Sequence, residues 1–331
     1  MQYHVSITSL PIYCTPHQED KPEKKGTHLA QIGPTQRIRP LPVVSAIVVF
    51  HEGDHLKSCL EALRKAARKV EDPVEIIVVE NGARSDLWSE TSELWDSWAD
   101  LAKNEGPSSA RNIGAQLARA ELLAFVDDDG QVAPDFFQAA LPYFKDPRVL
   151  GIRGRVIPRN HPYFSTLASH YDRGNRAIED ALITEGASLI RRTPFLEVKG
   201  FPEELQGHEG LALTHKLAQY DEMGRTLYAP DVHLYHDYLE TWSDFLEKSL
   251  RLARNEQEIQ NDTALHQYLQ DYFETTFPMP DLSLRQRIAR QALRAIRGGI
   301  QGAVRKTSTS GLARLSLLSK NTPMESPELW R

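Results

Sequence analysis

Residues 122–130 read LLAFVDDDG: five apolar residues run directly into three aspartates and a glycine. An apolar run of this length, closed by a polar cluster, predicts a buried strand. Strands apolar on both faces belong to parallel sheets covered by helices on each side. Three carboxylates at the end of such a strand repel one another where solvent is scarce. A divalent cation among them removes that repulsion, and hard cations such as Mg²⁺ and Mn²⁺ prefer oxygen ligands. The competing reading is a solvated acidic turn built on Asp129 and Gly130. The stretch alone leaves both open, so its neighbours must decide.

Upstream, VVSAIVVF from Val43 to Phe50 is a run of β-branched and aromatic residues, a strand of the same kind. It ends in His51–Glu52, and Asp54 can cap a helix whose inner face is Leu56, Leu60, Leu63, Ala67 and Val70. EIIVVENG is a second buried strand ending in Glu80 and Asn81, and a helix is expected over 85–103. Pro107 and the serines after it suit the start of another helix, with Ile113, Leu117 and Ala120 inward. Downstream, Pro134 opens a helix that Pro142 should end or kink, and VLGIRGRVI is a further strand. Strand–helix alternation of this kind predicts an α/β fold with right-handed crossovers. Ligands of such sheets bind beyond the carboxyl ends of the strands. Those ends carry His51–Glu52, Glu80–Asn81 and Asp127–Asp129, so polar groups converge on one sheet edge.

The second half is less regular. Helices are expected over 163–180, 209–220, 241–260 and 264–277, with a short strand in ITEGASLIRR. A strand and loop, RTLYAPDVHLYHDY, carries His233 and His236. Leu282 to Val304 is amphipathic, with Arg287, Arg290, Arg294 and Arg297 on one stripe and Leu284, Ile288, Ala292, Ala295 and Ile296 on another. The organisation expected is a lead-in over 1–42 with an edge strand near Tyr3–Tyr13, an α/β half over 43–157, a second half of the same domain over 158–262, and a helical basic extension over 263–331.

The chain has 331 residues and a formal net charge of −6, so it is not a nucleic-acid binder by overall electrostatics. The charge is uneven: residues 282–320 hold nine Lys and Arg and no acid, which suggests an anionic partner for that end. Two cysteines, Cys14 and Cys59, make no disulfide framework, and Cys59 falls on the apolar side of its helix. No apolar run reaches a membrane span and no leader pattern opens the chain, so a cytoplasmic protein is expected.

The order of motifs from Val43 to Gln260 resembles the inverting glycosyltransferases of family 2, which have the GT-A fold. The motifs are VVFHEGDHL, VVENG, Gly106-Pro-Ser-Ser-Ala-Arg111-Asn112-Ile-Gly114, Asp127-Asp128-Asp129, Gly186-Ala-Ser188, Lys199-Gly-Phe201 and His208-Glu209-Gly210. The resemblance implies a Rossmann-like, mainly parallel sheet flanked by helices, with a helical C-terminal extension. It implies transfer of a sugar from a nucleoside-diphosphate sugar to a hydroxyl of a glycan or lipid-linked acceptor, with Mn²⁺ or Mg²⁺.

Carried over residue by residue, it makes His51, Glu52, Glu80, Asn81, Arg111, Asn112 and Asp127 donor contacts. Glu80 would take the base or ribose, and Arg111 the diphosphate. Asp129 would ligate the metal, with Asp127 shared and His236 as a late ligand; Asp237 beside it could hold the ring. Glu209 would be the general base. Gly210 departs from the family, which usually has a second acid there. A catalytically inactive sugar-nucleotide-binding protein is the alternative that this departure suggests. A sugar nucleotidyltransferase would need a Gly-rich cationic loop after the first strand, which HEGDHL does not supply. The absence of a Q-x-x-R-W motif argues for single-sugar transfer. The basic amphipathic tail would lie on an anionic membrane surface through residues 282–320.

Overall fold

A computed structural model describes residues 40–83, 86–159, 164–237, 239, 241–275 and 281–306. The elements in chain order are β1 (Val44–Phe50), α1 (Leu56–Ala67), β2 (Val74–Asn81), α2 (Leu87–Glu90), β3 (Ser97–Leu101), α3 (Pro107–Leu117), β4 (Leu122–Asp127), β5 (Gln131–Val132) and α4 (Phe136–Ala140). Then follow β6 (Val149–Ile157), a 3-10 segment (Phe164–Tyr171), β7 (Ile178–Glu179), β8 (Ala187–Arg191), α5 (Arg192–Glu197) and α6 (Glu209–Tyr220). β9 (Arg225–Tyr235), α7 (Trp242–Asn261), α8 (Thr263–Glu274) and α9 (Leu284–Lys306) complete it. The expected edge strand near Tyr3–Tyr13 lies outside the described residues.

One sheet runs β3-β2-β1-β4-β8-β6-β9-β5, with β7 on β9. The first four strands are parallel; β8 enters antiparallel beside β4, and β6 and β9 pair parallel to each other. The sheet is buried on both faces because its strands alternate between two apolar layers. Ala46, Val48, Ile76, Val78, Ala124 and Val126 point to the face covered by α1 and α4. Ile47, Ile77, Val79, Leu123 and Phe125 point to the face covered by α3, α5 and α6. Continuous apolar runs suit such strands, which is why β1, β2 and β4 stand out in the sequence.

The segment expected as one helix over 85–103 is instead the short α2 followed by strand β3, paired parallel to β2 at the sheet edge. Its spacing of Leu87, Leu94, Trp95, Trp98 and Leu101 mimics a helix. Tertiary contacts override that pattern. The Asp96 carboxylate accepts from the Ile76 backbone N–H at 2.9 Å and from Arg64 at 2.7 Å, which fixes the entry to the strand. Trp98 Nε1 donates to Glu80 at 3.1 Å and fixes its middle. The helix expected over 163–180 is, among the described residues, only the 3-10 segment ending at Tyr171.

The second half closes around a buried ion network. Arg153 on β6 is fully buried and pairs with Asp180, which also takes Arg173 at 3.1 Å and the Tyr272 hydroxyl at 2.8 Å. That network ties β6 and the loop before β8 to α8. Helix α9 packs its Leu293, Ile300 and Val304 against Phe245, Leu250 and Ala253 of α7. The apolar stripe expected on α9 faces away: Leu284, Ile288 and Ile296 are 67%, 53% and 46% exposed. No described helix is long and apolar enough to cross a membrane.

Candidate active site

Strand register builds the site. Val49 of β1 pairs with Asp127 of β4, and Phe50 pairs with Glu80 of β2, so three strand ends coincide. Gln131 of β5 pairs with Tyr235 of β9, which brings the residue after β9, His236, back to the aspartates. Ligand atoms of Asp127, Asp129 and His236 lie within 4.8 Å of one another. His236 Nδ1 is buried, has no hydrogen-bond partner, and sits 3.6 Å from Asp129 Oδ1. An orphaned imidazole nitrogen beside two carboxylates fits a divalent cation, which would accept all three donors. Of the two histidines, His233 is tied into its own turn, its Nε2 lying 2.9 Å from the Pro230 carbonyl. Asp237, expected behind the His236 ring, is engaged by Arg159, accepting from its backbone N–H at 2.9 Å.

The three aspartates sit in different fields. Burial pushes the Asp127 carboxyl up, but Arg111 and His236 outweigh it and hold it below the usual carboxylate range. Arg111 Nη2 donates to Asp127 Oδ1 at 2.8 Å. Asp128 has no such partner; burial and its two neighbours push it up to about 7. Asp129 is also raised, by burial first and Asp127 next, against the pull of His236. These like-charge clusters are where a cation relieves repulsion. Gly186, just before β8, is required by the same corner. A Cβ there would stand 2.0 Å from Asp127 Oδ2, so only glycine lets this carboxylate lie against β8.

Arg111 is the pivot between this corner and the candidate base. Burial works against its charge, but Asp127, Glu185 and Glu209 together outweigh that cost. Glu209 is the first residue of α6 and 7% exposed. Burial, and next Glu185, push its carboxyl up to about 7, against Arg111 and Arg251. The departure at Gly210 has a geometric cause. A Cβ at 210 would meet the Leu182 carbonyl oxygen at 1.6 Å and Glu185 Oε1 at 2.9 Å, and Glu185 already accepts the Gly210 N–H at 2.6 Å. No side chain fits at 210, and a carboxylate from the turn before β8 stands beside it. Sequence reasoning missed Glu185; its only signal is an acid immediately ahead of the Gly-Ala-Ser strand.

The remaining expected donor contacts differ in availability. Glu80 is 3% exposed and holds Trp98. His51 and Glu52 lie exposed at the end of β1, and His51 Nδ1 is 2.8 Å from the Asn81 carbonyl. Asn81 uses its amide on Asn104, the Gly106 carbonyl and the Glu105 N–H, shaping the loop into α3. Asn112 uses both ends of its amide on the Phe201 backbone and also donates to Glu203, 3.1 Å away, so it pins the Lys199-Gly-Phe loop to α3. Neither amide opens to the site.

A parallel half-sheet joined to an antiparallel strand at a carboxylate corner defines a GT-A type fold. The mannosyltransferase of Pyrobaculum calidifontis, solved in complex with GDP-mannose and Mn²⁺, superposes with a TM-score of 0.51 at 18% identity, covering 90% of this chain and 84% of that one. The chain matches the sequence profile of glycosyl transferase family 2 over residues 45–198, from β1 through α5. It is a glycosyltransferase. The glucosyl-dolichyl phosphate glucuronosyltransferase of Haloferax volcanii is 24% identical over 229 residues, 61% of this chain and 71% of that protein. The putative glycosyltransferase EpsH of Bacillus subtilis is 32% identical over 105 residues, 30% of each chain.

Proposed function

We propose that the protein is an inverting, divalent-metal-dependent transferase that moves one sugar from a nucleoside-diphosphate sugar to a hydroxyl of a glycan or lipid-linked acceptor. The observation that carries this reading is the Asp127–Asp129–His236 cluster, with an orphaned imidazole nitrogen, one ion pair away from Arg111. Asp127, Asp129 and His236 would hold Mn²⁺ or Mg²⁺, which when bound neutralises charge on the departing diphosphate. Arg111 would orient the diphosphate by paired N–H donors. Glu80, His51 and Glu52 at the neighbouring strand ends would face the nucleoside, while Asn81 and Asn112 shape the walls. Glu209 would take the proton of the acceptor hydroxyl as its oxygen bonds to the anomeric carbon and the nucleoside diphosphate leaves from the opposite face.

Glu185 supports the active over the inactive reading, because it restores a second carboxylate beside Glu209 where Gly210 lacks one. The exposed Leu284, Ile288 and Ile296 on α9 support contact of that end with an anionic membrane surface. The direct test screens nucleotide sugars for Mn²⁺-dependent turnover and UDP and GDP for Mn²⁺-dependent thermal shift. Both should disappear in Asp129→Ala. Unchanged nucleotide binding and turnover in that variant would overturn the proposal.

A further inference from the structure

Glu209 opens on its outer side into a cavity of about 540 Å³, walled by the start of α6, the 3-10 segment, α7, α8 and α9. Its wall carries six cationic side chains, Arg173, Lys248, Arg251, Arg290, Arg294 and Arg297, against two carboxylates, Glu185 and Glu209. Arg173 shares the Asp180 carboxylate with Arg153 and belongs to that buried network. The others come from two helices that face each other. Lys248 and Arg251 are one turn apart on α7; Arg290, Arg294 and Arg297 follow at intervals of four and three on α9. The stretch that contains α9 has no Asp or Glu to offset them.

Like charges on packed helices are costly unless an anion lies between them. One guanidinium shows the strain of that arrangement. Arg290 Nε is buried with no hydrogen-bond partner, and burial together with Arg294 lowers the tendency of Arg290 to hold its proton. Buried polar atoms are partnered in the great majority of cases, so an orphaned donor on a side chain that lines the cavity points to a missing acceptor group. The cavity is also in electrostatic contact with the chemistry: Arg251 acts on Glu209, and Lys248 on Asp127. The donor corner is acidic, so this cationic wall is not a second donor site.

Resting on the reading of Glu209 as the acceptor-side base, we infer that the acceptor itself carries a phosphate or diphosphate, bound between α7 and α9 by Lys248, Arg251, Arg290 and Arg294. Four cations around one anion favour a diphosphate over a monophosphate, and guanidinium groups match its oxygens in pairs. The anion would anchor the acceptor so that a sugar hydroxyl at its far end reaches Glu209. The same chemistry is offered by a water-soluble sugar phosphate and by a polyprenyl-diphosphate sugar.

The test measures inorganic pyrophosphate binding by calorimetry in EDTA, on wild-type protein and on Asp129→Ala. Binding should need no metal and survive Asp129→Ala. It should weaken about tenfold per charge removed in Arg290→Gln/Arg294→Gln and, on the other helix, in Lys248→Gln/Arg251→Gln. Mn²⁺-dependent nucleotide binding by wild-type protein is scored separately, so a failure of the donor-site reading shows there and not in the pyrophosphate arm. Comparing methyl diphosphate with a polyprenyl diphosphate in detergent assigns the source. Equal affinity indicates a soluble acceptor, and at least about tenfold tighter polyprenyl binding a lipid-linked one. No pyrophosphate binding in EDTA, or binding unchanged in both double variants, overturns the inference.

Discussion

Glu185→Gln should move the pH dependence of transfer in a direction that only the proposed base predicts. Glu209 has an ordinary carboxyl value of 4.5 and is pushed up to about 7, by burial first and the Glu185 charge next. That displacement disfavours ionisation by about 3 kcal/mol. A general base must be ionised, so kcat/KM should rise with pH through about 7 and level off above it. Glutamine at 185 keeps a carbonyl oxygen to accept the Gly210 N–H but removes the like charge. The burial contribution stays, so the limb should move down by about one pH unit and no further. At pH 6 the ionised fraction then rises from roughly a tenth to roughly a half, about a fivefold gain relative to the plateau.

The assay is kcat/KM at subsaturating acceptor from about pH 5 to 9, with Asp128→Asn as companion. Asp128 is also pushed up to about 7, but chiefly by burial, Asp129 and Asp127. A limb that moves with Glu185→Gln therefore belongs to Glu209. A limb that superimposes on wild type, or moves up, refutes Glu209 as the base. The linkage to folding runs the other way. Between 4.5 and about 7 the unfolded chain releases a proton that the folded chain retains, so stability falls as pH rises through that window. Glu209→Gln should thus raise stability at pH 8, by at most about 3 kcal/mol, while abolishing transfer.

Other perturbations test the rest of the site. Asp180→Asn should cost about 3–5 kcal/mol in urea unfolding, because Arg153 and Arg173 would be left buried without their carboxylate. Gly186→Ala should force the Asp127 carboxylate away from Arg111 and weaken Mn²⁺-dependent nucleotide binding by about tenfold or more, with a thermal midpoint close to wild type. Replacing Leu284, Ile288 and Ile296 together by Ser should abolish pelleting with anionic liposomes and leave Mn²⁺-dependent nucleotide binding intact, since all three are exposed on α9.

Legibility in the sequence tracked the kind of force at work. β1, β2 and β4 were readable because strands buried on both faces must be apolar throughout, and α6 because its Glu209–Tyr220 span is amphipathic and opens on a carboxylate. Their polar ends follow from topology, which puts His51, Glu80, Asp127 and Asp129 at one sheet edge, while Arg111 is placed with them by the resemblance to the family motif. β3 was not readable, because Trp95 and Trp98 recur at helical spacing and the long-range pairing with β2, with the bonds of Asp96 and Glu80, holds it extended. Asn112 carries a family motif position, yet its amide is committed 89 residues away at Phe201, a contact no local pattern announces. The α9 arginines were legible as a stripe but not as a cavity wall, since which face packs on α7 is decided by Leu293, Ile300 and Val304 rather than by charge.

Glu185 shows why one missing acid misleads when it is read by position. At 210 the backbone runs so close to the Leu182 carbonyl that a side chain is excluded, so an acid could not return there by substitution alone. The carboxylate arrives from the turn before β8, 25 residues earlier, and is anchored on the very N–H that Gly210 presents. That placement has a consequence for the base. The Glu185 charge raises the cost of ionising Glu209, and Arg111 on the donor side and Arg251 on the acceptor side lower it. A phosphorylated acceptor would bring negative charge to the Arg251 side and weaken that cation's hold on the Glu209 anion. Acceptor binding should therefore raise the Glu209 value further, so the acid limb of kcat should lie above that of kcat/KM. A kcat limb at or below the kcat/KM limb would separate the base from the cationic wall and break the link between them.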